Sequence, residues 1–198
     1  FAIYDTQDQV DAVKEAMERL GISIKDYKPS SILASISSAK NELINESDYF
    51  KYARGNFQEK VARIYPQYQK ILTENHALDF DDLLVKTASL LETNEEVRKY
   101  YWNTWSHVHI DEYQDTNRVQ YMISKILAEE KRNICVVGDI DQTIYSWRGA
   151  DIRNIMNFEK DYPEAKVVLL EENYRSTKML LKTASSIISA NQQRKAKN

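Results

Sequence analysis

Val108-His109-Ile110-Asp111-Glu112-Tyr113-Gln114-Asp115 and Ile134-Cys135-Val136-Val137-Gly138-Asp139-Ile140-Asp141-Gln142 decide how this chain folds. Each is a short apolar run that stops abruptly in carboxylates. Val108 and Ile110 alternate as in a strand, Ile134 to Val137 is continuous, and residues 117–130 between them carry apolar side chains at helical spacing. Two short strands joined by one helix predict a parallel βαβ unit with a right-handed crossover. Open parallel sheets take their ligands beyond the carboxyl ends of the strands, so both acidic clusters should share one edge. A neighbouring Asp-Glu pair there suits Mg²⁺ chemistry, one acid holding the ion and the other activating a water. For a bare Asp-Glu the plain alternative is a solvated acidic loop.

Outward from this unit, residues 1–78 read as consecutive helices uninterrupted by strands. The first has Thr6 and Gln9 at capping-box spacing, Val10, Val13, Met17 and Leu20 at steps of three and four, and Gly21 as a stop. A second follows Pro29 with Ile32, Ile36, Ala39 and Leu43 on one face. A third carries Phe57, Val61, Ile64, Tyr68, Ile71 and Leu72, with Pro66 inside it, where a continuous helix should kink. Asp79 can cap a further helix bearing Leu83, Leu84 and Leu91. A third strand is expected at Val167 to Leu170, before Glu171-Glu172-Asn173-Tyr174-Arg175 and a last helix. Gln192 to Asn198 should fray.

Composition narrows the class. The chain has 198 residues, 30 acidic and 27 basic side chains, a net charge of −3 and 42% hydrophobic residues, which excludes a disordered or collagen-like chain and argues against holding nucleic acid by charge alone. Four glycines and three prolines leave few tight turns, so helix should dominate. Gly21, Gly55, Gly138 and Gly149 supply no G-x-x-x-x-G-K-[ST] phosphate loop. One cysteine, Cys135, excludes an internal disulfide and, by its apolar flanks, should be a buried strand residue. No apolar run approaches the roughly 20 residues that span a bilayer. The start at Phe1 predicts a piece of a longer protein.

The longer strings are specific. Asp111-Glu112-Tyr113-Gln114-Asp115-Thr116-Asn117, then Val137-Gly138-Asp139-Ile140-Asp141-Gln142-Thr143-Ile144-Tyr145-Ser146-Trp147-Arg148-Gly149-Ala150-Asp151, then Glu172-Asn173-Tyr174-Arg175-Ser176-Thr177 closely resemble motifs II, III and IV of superfamily 1 DNA helicases of the PcrA/UvrD/Rep type. Leu78-Asp79-Phe80-Asp81-Asp82-Leu83 resembles the segment where the helical 1B domain returns to the motor core. The resemblance implies a helix-rich α/β fold: an incomplete RecA-like parallel sheet of the P-loop NTPase type with an all-helical 1B domain. Its implied boundaries are 1–78 for domain 1B, 79–165 for the second half of domain 1A, and 166–198 for the start of domain 2A. Pro66 departs from the pattern expected of that 1B helix.

By the same resemblance, the parent protein is an ATP-dependent DNA helicase that translocates on single-stranded DNA, unwinds duplex and serves DNA repair and replication in the bacterial cytoplasm, at the nucleoid. ATP and Mg²⁺ are its implied cofactors, and single-stranded DNA, the single-strand/duplex junction and the remaining helicase domains its partners, with no membrane. Asp111 resembles the Mg²⁺-associated aspartate, Glu112 the general base, and Gln142 the glutamine that senses the γ-phosphate. Arg175 resembles the arginine that reaches the γ-phosphate across a cleft, and Tyr174 the residue that stacks on adenine. Phe80, Tyr145, Trp147 and Arg148 match positions that form pockets for single-stranded bases. Without the phosphate loop, the chain by itself is expected to hydrolyse no ATP. The alternatives are a single-stranded-DNA-binding module and a subunit of a helicase-nuclease.

Aromatic faces beside an arginine accept any base, so Tyr145, Trp147 and Arg148 suit stacking without appeal to a family, and core packing of Trp147 is the other reading. His107 and His109 point to one face of a strand but have no third ligand nearby for zinc. Tyr49, Tyr52, Tyr65 and Tyr68 have helical spacing, which favours packing over a DNA path. Lys40, Lys51 and Arg54 could meet duplex phosphate, although scattered charges usually form a solvated face.

Overall fold

The computed structural model describes residues 1–146 and 149–188. Its order is β1 (Ala2–Ile3), α1 (Thr6–Arg19), α2 (Pro29–Asn41), α3 (Asn56–Glu74), β2 (Ala77–Leu78), α4 (Phe80–Thr93), α5 (Glu95–Thr104), β3 (Val108–Ile110), α6 (Arg118–Ala128), β4 (Ile134–Val136), α7 (Arg153–Met156), α8 (Phe158–Asp161) and α9 (Lys178–Ile188), with short 3₁₀ turns at Tyr49–Lys51, Tyr113–Asp115 and Ile140–Gln142. The fold is the expected helix-rich α/β one, with two small sheets of two strands each. The chain divides into two compact units, Phe1–Val108 with Asn117–Cys135, and His109–Thr116 with the chain from Val136 onward.

In the first unit, α1, α2 and α3 wrap a core in which Val13, Met17, Ile32, Ile36, Ile64 and Tyr68 are fully buried. The cap of α1 is one residue earlier than the sequence suggested. Asp5 accepts from the backbone of Gln7 and Asp8, and the Asp8 carboxylate accepts from Asp5 N–H in return. A carboxylate caps better than a threonine hydroxyl, so Thr6 becomes the first helical residue. Gln9, freed from capping, is buried and donates to the Tyr4 carbonyl. Gly21 follows α1 with φ +64°, the left-handed conformation that ends helices.

Pro29 opens α2, where its missing N–H has no intrahelical partner to lose. Leu43, assigned to its apolar face, lies past its end. α3 runs unbroken through Pro66. Residues 1–78 are not free of strands: β1 pairs in parallel with β2, Ala2 beside Ala77 and Ile3 beside Leu78. Two residues are too few to leave an alternating pattern in a sequence.

Asp79 caps α4 as expected, in a reciprocal box with Asp82. Lys40, grouped above with surface charges, is instead 3% exposed and bonded to both of these carboxylates. Lys51 and Arg54 are exposed, Lys51 pairing with Asp48. Tyr49, Tyr65 and Tyr68 pack in the core, whereas Tyr52 is exposed. α5 is a helix the sequence did not suggest, and none of its residues is fully buried. Asn94 caps it, and Trp102 donates from its indole N–H to the Ile126 carbonyl of α6 at 2.7 Å.

β3 and β4 form the predicted parallel pair around α6. Val108 N–H donates to Asn133 O and Val137 N–H to Ile110 O, so the bonds ascend together along both strands. Cys135 is exposed, contrary to expectation: Ile134 and Val136 turn their side chains to the covered face, and the pleat sends the residue between them the other way. Val167 to Leu170 joins no ladder among the described residues and is exposed, 61% at Val167 and 83% at Leu170. A strand requires a neighbour for its N–H and C=O groups, and hydrophobicity alone does not supply one. Gln192 to Asn198 lies outside the described residues.

Candidate functional site

The two strand-end loops meet within the second unit, and a buried amide joins them. After β3 the backbone turns sharply: Glu112 sits at φ +49°, ψ 42°, the left-handed region that a non-glycine residue occupies at a cost of about 1–3 kcal/mol. Its N–H is taken by the Asp111 carboxylate at 2.9 Å. Both acidic side chains are exposed at this edge. The turn Tyr113–Asp115 that follows is buried where the acids are not. Tyr113 is 1% exposed and packs edge-on against Phe158 at 5.7 Å, while Asn154 of α7 and the Asp151 N–H both donate to the Thr116 carbonyl.

The loop after β4 carries Gln142, whose amide donates to Asp139 Oδ2 at 3.0 Å. Asp139 Oδ1 also accepts from the Asp141 N–H, which shapes the turn Ile140–Gln142. Gln114 spans the loops. It is fully buried, accepts from Asp139 N–H at 3.0 Å and donates to Glu112 Oε2 at 2.7 Å. Ile144 N–H reaches Asp115 Oδ1 at 3.3 Å, a further tie between the segments.

Asp111, Glu112 and Gln142 are thus gathered in one cluster by Gln114 and Asp139. Sequence reasoning gave neither of the last two a role, and the signal available was a neutral amide among carboxylates beyond a strand end. Tyr145 lies downstream of the same loop and is 39% exposed, its carbonyl accepting from Ala150 N–H. Trp147 and Arg148 lie outside the described residues. Phe80 belongs to the first unit, at the first position of α4, and is 57% exposed. Tyr174 and Arg175 stand in a turn before α9 with local partners. Asn173 Oδ1 accepts from the N–H groups of Arg175 and Ser176, and the Tyr174 hydroxyl donates to Glu172.

Among the described residues, no group of three or more His, Cys, Asp or Glu side chains could hold a metal by itself. Asp111 and Glu112 suit the other way of binding Mg²⁺, in which one or two carboxylates share the ion with phosphate oxygens and water. No helix of the described residues is long and apolar enough to cross a membrane.

The chain belongs to the UvrD/REP helicase N-terminal domain family, whose model matches residues 1–163. Among individual proteins it is 50% identical over 198 residues to the ATP-dependent DNA helicase PcrA of Bacillus subtilis (strain 168), covering 100% of this chain and 27% of that protein. The PcrA of Staphylococcus aureus (strain Mu50 / ATCC 700699) is 48% identical over 197 residues with the same coverage, and that of Staphylococcus epidermidis 47%. The chain spans 27% of the length of these relatives.

Proposed function

We propose that this chain supplies half of an ATP site and part of a single-stranded DNA path in an ATP-driven DNA helicase. The observation that carries the reading is the strand-end cluster: Glu112, held in a strained left-handed turn beside Asp111, tied through Gln114 to the loop of Gln142. Strain of this kind persists where surrounding structure enforces it, and it gathers at working sites. Residues 1–78 correspond to a helical 1B domain, 79–165 to the second half of a RecA-like domain 1A, and 166–198 to the start of domain 2A.

Asp111 would hold Mg²⁺, and Glu112 orients the attacking water and accepts its proton. Bound there, the ion would supply positive charge to offset the phosphate's negative charge. Gln142 contacts the γ-phosphate side of the site, and its bond to Asp139 keeps the amide fixed before nucleotide arrives. Arg175 stabilises charge on the transferring phosphoryl, and Tyr174 stacks on adenine. Phe80, Tyr145, Trp147 and Arg148 receive single-stranded bases, the exposed rings of Phe80 and Tyr145 leaving a face free to stack. The complete protein acts on single-stranded DNA and its junction with duplex, in the bacterial cytoplasm.

The test is Glu112→Gln in the complete protein. Nucleotide affinity should be nearly unchanged while DNA-stimulated ATP turnover drops by roughly 10²-fold to 10⁴-fold, the usual worth of a general base. Turnover at the parental rate would remove Glu112 from that role.

A further inference from the structure

We propose that Gln114 is a positioning residue for the reaction: its side-chain amide fixes the Glu112 carboxylate against the loop after β4, so that the base is aimed before substrate binds. The proposal rests on Glu112 being the base. Gln114 is 0% exposed, although glutamine is ordinarily a surface residue, and a polar side chain is taken out of water only where its bonding groups are met. Here they are met on both ends. Oε1 accepts from Asp139 N–H at 3.0 Å, and Nε2 donates to Glu112 Oε2 at 2.7 Å and to Asp115 Oδ2 at 3.3 Å.

The partners fix which end of the amide is which. A backbone N–H faces one end and two carboxylates face the other, so a reversed amide would set donor against donor and acceptor against acceptor. Gly138 completes the seat. A Cβ there would lie 2.5 Å from Gln114 Oε1 and 2.8 Å from Ile155 Cδ1, so a side chain at 138 could not share this space with the amide.

Glu112 needs such a brace. Its side chain is exposed and its backbone strained, so nothing in its own burial selects one rotamer. A buried donor anchored to the neighbouring loop selects it. Because Asp139 also receives the Gln142 amide, the same brace keeps Glu112 and Gln142 at a set spacing.

Two variants of the complete helicase test this. Gln114→Met keeps the volume and loses both polar ends; Gln114→Glu keeps the acceptor for Asp139 N–H and places a like charge against Glu112. Each should lower kcat at saturating ATP and single-stranded DNA by about 10-fold to 10²-fold, the scale of a misplaced catalytic group, with nucleotide affinity unchanged by titration. In a Glu112→Gln background neither should lower the single-turnover rate further, since there is no base left to aim. A role confined to folding would lower the melting temperature and leave kcat of the folded fraction alone. Parental kcat in a folded Gln114 variant, or an equal loss with and without Glu112, overturns the proposal. If Glu112→Gln itself turns over at the parental rate, the base reading fails instead.

Discussion

Lys40 donates from Nζ to Asp79 Oδ2 at 2.6 Å with both side chains almost wholly out of water, 3% and 1% exposed. Asp82 accepts from the same ammonium at 2.8 Å, Tyr68 donates its hydroxyl to Asp79, and the Gln69 amide donates to Asp82. Asp79 and Asp82 are also the capping box of α4, so one cation ties the start of that helix to α2 and α3. A nearby pair of amides, Asn117 Nδ2 to Asn41 Oδ1, links the cap of α6 to the end of α2.

Removing the cation strands two buried carboxylates. Lys40→Met should therefore destabilise the chain by about 3–5 kcal/mol, the cost of breaking a buried pair from one side, read as a lower urea midpoint. A loss below about 1 kcal/mol would mean that water or a proton takes the place of Lys40 at no great cost.

Asp81 lies next to this network, its Oδ1 accepting from the Asn41 amide. Burial pushes its carboxyl above the ordinary value of 3.8, and the Asp79 charge adds to that, while bonds from Ser37 and Asn41 and the charge of Lys40 pull it back. With the folded value raised, the unfolded chain loses its proton first, so Asp81's contribution to stability falls as pH rises from about 3.8 through the folded value. Asp81→Asn removes this dependence and keeps an acceptor for the Asn41 amide. The variant should melt higher than the parent at pH 7, with the gap closing as pH falls. Equal melting at pH 7 would show that the compensating bonds win.

Gly138→Ala should displace Gln114. The added carbon lands 2.5 Å from the Gln114 amide oxygen, which accepts from Asp139 N–H, and 3.3 Å from the Tyr113 backbone nitrogen. Overpacking of this kind costs about 1–3 kcal/mol. A crystal structure or backbone amide shifts at Asp139 would report the displacement, and an unmoved Asp139 N–H signal would count against it.

Arg175→Ala in the complete protein should lower kcat for DNA-stimulated ATP hydrolysis by about 10³-fold, by analogy with arginine fingers, and change nucleotide affinity far less. The Asx turn of Asn173 presents Arg175 on an exposed segment, so its truncation should leave the melting temperature unaltered. Lysine should rescue poorly because it lacks the planar fork. Large affinity loss with unchanged kcat would make Arg175 a ground-state binder.

What the sequence determined by itself was local or linear. The cap at Asp79, the apolar faces of α1 to α3, and the order β3, α6, β4 follow from hydrogen bonds and periodicities that span a few residues. The long polar strings at the strand ends carry the family in the same way, since chain order alone brings them to one edge. Tertiary structure decided the rest. Lys40 meets Asp79 and Asp82 across 39 and 42 positions, and a lysine amid serines on a helix reads as solvent-facing until those carboxylates fold over it. Gln114 and Asp139 are 25 positions apart, and only the parallel register of β3 and β4 brings the amide to that N–H. Cys135 and Val167 to Leu170 mark the converse: hydrophobicity signals that a segment would gain by burial, while the neighbouring elements settle whether anything covers it.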